Sequence, residues 1–185
     1  MAGIARHYGV SLDVISAFMR RHGLHRRSPS ESNLINFSRK PLSYSRKMHL
    51  SEDEKILEAS GIMLYWAEGS KSSETPCVDF ANSDPRMIML FLKFLRDIFS
   101  VDEKKLRVFP YCYADQDIGR ILDFWSRTTG IARSQFSKAY IRKDFKPNAR
   151  KMEHGLVHIR YSDKRLLSEI KYMIDSYSQK YAPVA

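Results

Sequence analysis

Glu68 ends the run Gly61-Ile62-Met63-Leu64-Tyr65-Trp66-Ala67 and stands directly before Gly69 and Ser70. A helix that is apolar on every side must be buried on every side. A carboxylate at the C-terminal end of such a helix is opposed both by the helix dipole and by desolvation. A hard divalent cation would offset that cost. Magnesium suits the position, because it often takes only one or two protein carboxylates and completes its shell with water and phosphate oxygens. A side chain that reaches solvent just past the helix end would offset it equally well. The second chemical signal is cationic: Arg133, Lys138, Arg142, Lys143, Lys146, Arg150 and Lys151 have only Asp144 against them. No Ser/His/Asp or Cys/His set is visible, and His7, His22, His25, His49, His154 and His158 lack a metal-ligand spacing, so nucleophilic hydrolase chemistry is not expected.

The chain of 185 residues carries a formal charge of +10 and is 43% apolar, enough for one full domain and a small module. That charge makes a polyanion the natural partner, through release of the counterions condensed on phosphates. The field does not by itself separate DNA from RNA. Residues 1–50 hold nine lysines and arginines against two acids, so the N-terminal part is the more basic. Cys77 and Cys112 lie alone in strand-like runs and read as buried thiols of a reducing compartment. With no long apolar run and no leader pattern, a cytoplasmic, nucleoid-associated protein is expected.

Residues 4–11 read as the end of a short helix, a turn at Gly9, and Ser11 as the cap of a second helix from about Leu12 to His22. Leu12, Ile15, Phe18 and Met19 recur at helical spacing and predict one buried stripe, which Gly23 ends. Ser28 to Lys47, rich in Ser, Asn, Arg and Lys and with Pro29 and Pro41, shows no sustained period and reads as part of a basic linker over 28–50. Gly9-Val10-Ser11 between two short helices resembles the turn of helix-turn-helix modules. The resemblance implies a 1–27 DNA-binding module in which Ser11, Asp13, Ser16, Arg20, His25, Arg26 and Arg27 face the major groove.

Ser51 and Glu54 have capping-box spacing, with three acids at the favourable end of a helix that runs to Glu68. Strands are predicted at Cys77–Asn82, Leu106–Tyr113, Phe136–Arg142 and Leu156–Tyr161. Helices are predicted after Pro85, over Gln116–Arg127 and over Asp163–Tyr177. Pro110 argues for an edge strand or a bulge. A strand followed by Ser-Asp and an apolar helix occurs twice, at Phe80 to Phe91 and at Ile159 to Ile170. Alternation sets Val157, Ile159 and Tyr161 on one face and His158 and Arg160 on the other, a polar face that Arg107 and Tyr111 could share.

Gly61 to Gly69, with Ala67-Glu68-Gly69, is similar to the LAGLIDADG motif of homing endonucleases. The resemblance extends to about Tyr177 if Ser70–Lys71 begins a first strand and Gln116–Arg127 is an insertion. It implies an α+β fold: an αββαββα domain over 51–178, preceded by the small all-α helix-turn-helix and followed by a tail. It also implies a homodimer whose seam runs through Gly61, Leu64 and Ala67, although Met63, Tyr65 and Trp66 are bulkier than the motif usually allows. Glu68 takes the position of the metal-binding acid for Mg2+, with Lys71 and Lys138 as candidate charge stabilisers in catalysis. The sheet would lie on double-stranded DNA through Arg107, His158 and Arg160. Arg133, Lys138, Arg142, Lys143 and Lys146 would hold phosphates. Site-specific cleavage, a non-cleaving transcription regulator built on the same domain, and an RNA-binding intron-folding factor are the three functions this pattern admits.

Overall fold

The computed structural model describes residues 1–72, 76–142 and 152–183. They form two units, Met1–Pro41 and Leu42–Ala185, with a mixed α+β architecture in the larger one.

The smaller unit holds three helices, α1 (Ala2–Tyr8), α2 (Leu12–Arg21) and α3 (Pro29–Arg39). Gly9 closes α1 in the left-handed conformation at φ 64°, where a side chain would be strained, and the Ser11 hydroxyl accepts from Val14 N–H at the start of α2. The expected turn is therefore present, but the expected buried stripe is not. Leu12 and Phe18 are exposed, Ile15 and Met19 are half-buried, and Ala5 is the one buried residue described in this unit. Three short helices in 41 residues have too little interior to close a core.

The linker reading of 28–50 is overturned at both ends. Residues 29–39 are helical because Ser28 and Glu31 form a reciprocal capping box and Pro29 occupies the first helical position. Residues 43–47 are fastened to the larger unit. Ser45 and Lys47 N–H donate to the carbonyls of Phe99 and Ile98, Asp102 N–H donates to the Ser43 carbonyl, and the Ser43 hydroxyl donates to buried Asp163 at 2.7 Å.

The larger unit runs α4 (Glu52–Glu68), β1 (Val78–Asn82), α5 (Pro85–Phe99), β2 (Leu106–Tyr113), α6 (Ile118–Thr129), β3 (Tyr140–Arg142), β4 (Leu156–Tyr161) and α7 (Lys164–Tyr181). The Ser51–Glu54 capping box starts α4 as predicted. The sheet order is β1-β4-β2-β3, antiparallel except where β3 joins β2 in parallel. The first strand expected at Ser70–Lys71 is reduced to one bridge between Gly69 and Phe80 and a bond from Ser70 N–H to Asp79 O at 2.8 Å. The strand expected from Phe136 is a bridge to Val108 followed by three paired residues.

Pro110 lies in β2, which is central rather than an edge. Ser137 N–H donates to Val108 O, so even-numbered residues of β2 turn their backbone groups toward β3. The ladder with β3 starts only at Tyr111, so the missing N–H of Pro110 falls where no partner strand asks for it.

Alternation divides the sheet into two faces. Val78, Phe80, Leu106, Val108, Cys112, Val157, Ile159 and Tyr161 join side chains of α4 to α7 in a single core. The repeated strand–Ser-Asp–helix pattern is also real in structure: β1 and β4 are neighbours, and Asp84 and Asp163 cap α5 and α7 by accepting from Arg86 and Arg165 N–H. Cys112 is buried and Cys77 half-buried, both as free thiols that burial pushes up in pKa. Among the described residues no helix is long and apolar enough to cross a membrane.

Candidate functional site

The residues of the sheet that take no part in the core occupy its other face. Register brings Asp79 of β1 opposite Arg160 of β4, and Arg160 opposite Arg107 of β2. In the next rows Phe109 faces His158, and Tyr111 pairs with Tyr140 of β3. The expectation that Arg107, Tyr111, His158 and Arg160 share one polar face therefore holds.

The anchor of this face is Asp79, only 4% exposed, whose significance sequence reasoning missed. One carboxylate oxygen lies 2.8 Å from His158 Nδ1, and the other accepts from Arg160 Nε at 2.7 Å. Burial pushes the acid toward neutrality, but the His158 hydrogen bond and charge, together with the Arg160 guanidinium, hold it below the ordinary value of 3.8. The signal was available: Asp79 sits between Val78 and Phe80 in a strand, so two core neighbours turn it onto the face where His158 and Arg160 project.

Aromatic rings flank this ion-paired centre. Arg160 lies over the Phe109 ring at 4.3 Å, and the Tyr111 ring lies 4.7 Å from His158 and 5.1 Å from Tyr140. Arg142 lies over Tyr113 at 5.9 Å. Arg107 is held along the strand by bonds to the carbonyls of Lys104 and Leu106. Cations on rigid strands beside apolar ring faces suit a ligand with both phosphate charge and planar rings.

The other predicted residues are distributed as follows. Glu68 is exposed at the last position of α4, so the solvent-facing alternative describes it. Gly69 follows because a Cβ there would collide with the Tyr65 carbonyl oxygen and ring. Lys71 is exposed three residues on, whereas Lys138 does not join Glu68 within one chain. Gly69, Phe80, Ile159, Val108 and Phe136 form one row across the sheet, so roughly 19 Å of strand spacing separates the edge near Glu68 from the edge near Lys138. Among the described residues no three His, Cys, Asp or Glu side chains converge as a metal set.

The expected seam needs correction. Gly61 faces inward, where a Cβ would overlap the ring of Phe94, and Leu64 packs against the core. Of the three only Ala67 is exposed. The outward stripe of α4 is Ile56, Met63, Trp66 and Ala67, with Ile56 65% exposed and Met63 38%.

In the smaller unit Ser11 is committed to its cap and the Ser16 hydroxyl donates to Leu12 O, while Arg20, Arg26 and Arg27 are exposed. Arg133 pairs with Asp123 at 2.5 Å, so this member of the basic run already has a carboxylate partner. Lys143, Lys146, Arg150 and Lys151 lie outside the described residues.

Compared with known proteins, the chain matches no family model, no curated protein and no solved structure.

Proposed function

We propose that the chain is a DNA-binding protein whose larger unit lays the non-core face of its sheet on double-stranded DNA. The observation that carries this reading is the cluster of Arg107, His158 and Arg160 on one rigid face, where the buried carboxylate of Asp79 is already engaged by two of them. Strands hold those side chains at fixed spacing, which suits contacts to base edges, and the net charge of +10 supplies the sequence-independent attraction. The exposed Arg20, Arg26 and Arg27 behind the Gly9 turn give the smaller unit a second basic surface, in keeping with a helix-turn-helix.

The order of elements from α4 to α7 supports a LAGLIDADG-type domain, with α6 and β3 added between the second and last antiparallel strands and the first strand shrunk to a bridge. On that reading two copies meet through the outward stripe of α4. Such pairing would bring two Glu68 side chains to the seam, the arrangement a magnesium-dependent nuclease needs. Glu68 exposed at the end of α4 equally supports a regulator that binds without cutting.

Selection from a randomised duplex library mixed with a pool of structured RNA, with magnesium or chelator, tests both levels. Enrichment of one duplex sequence supports the DNA reading, and retention only of structured RNA overturns it. Magnesium-dependent breaks lost in Glu68→Gln identify the nuclease, and unbroken retained DNA identifies the regulator.

A further inference from the structure

We infer that Tyr111 and Tyr140 form a stacking platform for unpaired DNA bases, so that the protein prefers DNA opened at its binding site to a perfect duplex. The inference rests on the DNA reading and deepens it.

Both tyrosines lie on the face of the sheet that contributes nothing to the core, and they are cross-strand partners on β2 and β3. Tyr140 is 60% exposed although it is large and half apolar, and its ring stands at the end of a row that continues through Tyr111 to His158. Phe109 and Tyr113 extend the same face, each beneath an arginine. A surface meant only to read base edges in a major groove gains little from such rings, since those edges are recognised by hydrogen bonds. An unpaired base offers a π-face instead, and each base laid on an aromatic side chain adds a sequence-tolerant contribution. The charges agree with that occupant: Arg107, Arg142 and Arg160 border the rings, while both oxygens of buried Asp79 are already bonded to His158 and Arg160. The rings thus lie within a cationic margin that can follow a phosphate backbone.

The test compares full-length protein on three fluorescent probes: a fully paired duplex, the same duplex with a short central run of mismatched thymines, and the single strand. The mismatched duplex should bind about tenfold tighter than the paired one, the size of one base–aromatic stack. Tyr140→Ala and Tyr111→Ala should each remove most of that preference, while Tyr140→Phe and Tyr111→Phe keep it, because stacking needs the ring and not the hydroxyl. Circular dichroism of each variant separates lost stacking from lost fold, and exposed Tyr140 is the safer of the two positions. Equal affinity for paired and mismatched duplexes would overturn the platform while leaving the DNA reading intact, as would a preference that survives both alanine substitutions. Binding to none of the probes would overturn both.

Discussion

Asp79 and Arg160 face each other across the β1–β4 ladder, the carboxylate accepting from Nε at 2.7 Å with Asp79 itself nearly sealed from solvent. The acid therefore serves the basic residues rather than competing with them. It fixes Arg160 between a carboxylate and the Phe109 ring, and it orients His158 beside Tyr111. A side chain held in this way loses less conformational freedom on binding than a free surface arginine does.

Replacing Asp79 by alanine should consequently cost stability and affinity together. Two hydrogen bonds to the carboxylate disappear, and Arg160 and His158 keep only partial access to water, a loss of about 2 kcal/mol. Urea denaturation reads the stability term. Duplex affinity should fall even though the variant is one unit more positive, because Arg160 and His158 are no longer fixed. An affinity that rises with the added charge would mean the face acts only through its net field.

The same pair sets a pH dependence. The Asp79 carboxyl is held below 3.8 in the folded chain, and Asp163 likewise, where burial is outweighed by the Ser43 hydroxyl and Arg165. Near pH 3.8 the unfolded chain thus binds more protons than the folded one, and stability rises with pH through that window. The contribution is fully present above the ordinary carboxylate value and is lost as pH falls through the depressed folded values. Urea midpoints measured from neutral pH downward should drop across this range, and Asp79→Asn should flatten the drop. An unchanged profile in the variant would remove Asp79 from the account.

Much of the larger unit is legible in the sequence because local and global signals agree there. Ser51-Glu54 starts α4, Asp84-Pro85 starts α5, and alternation in Leu156–Tyr161 assigns both faces of β4. What escaped depends on long-range pairing. Pro110 reads as an edge residue until β3 is seen to join β2 only beyond it, and Gly61 reads as a seam residue until Phe94 of α5 is seen to fill its place. The helix α3 escaped for a different reason. Its apolar residues Leu34, Ile35 and Phe37 make no full stripe, and the Ser, Asn, Arg and Lys composition of the segment masks the Ser28-Pro29-Ser30-Glu31 start signal. At the candidate site, the members of the polar face could be read from period two, but Asp79 as their common partner required the β1–β4 register.

Gly61 and Met63 offer a direct test of which face of α4 meets a partner. Gly61→Ala should destabilise the monomer by about 3 kcal/mol, since its methyl would overlap fully buried Phe94 and a close-packed core has no slack to absorb it. Met63→Glu should leave the melting temperature nearly unchanged while shifting a dimer to monomer in light scattering, because Met63 lies on the outward stripe. If Met63→Glu leaves an existing dimer intact, the stripe is not the seam.

Lys138 separates a phosphate contact from a structural lysine. It is exposed just before β3, at the border of the cationic face, whereas Arg133 nearby is already engaged by Asp123. Each phosphate neutralised on duplex DNA contributes about 0.9 to the slope of log affinity against log salt. Lys138→Ala should therefore weaken binding alike on all duplex sequences and make the slope shallower by about that amount. Arg133→Ala should change the slope less, because forming a phosphate contact there must first break an ion pair with a carboxylate. Titrations at several salt concentrations, run on one matched and one scrambled duplex, give both quantities. A slope unchanged by Lys138→Ala would place the phosphate backbone away from the β3 edge and shift the binding track toward β1.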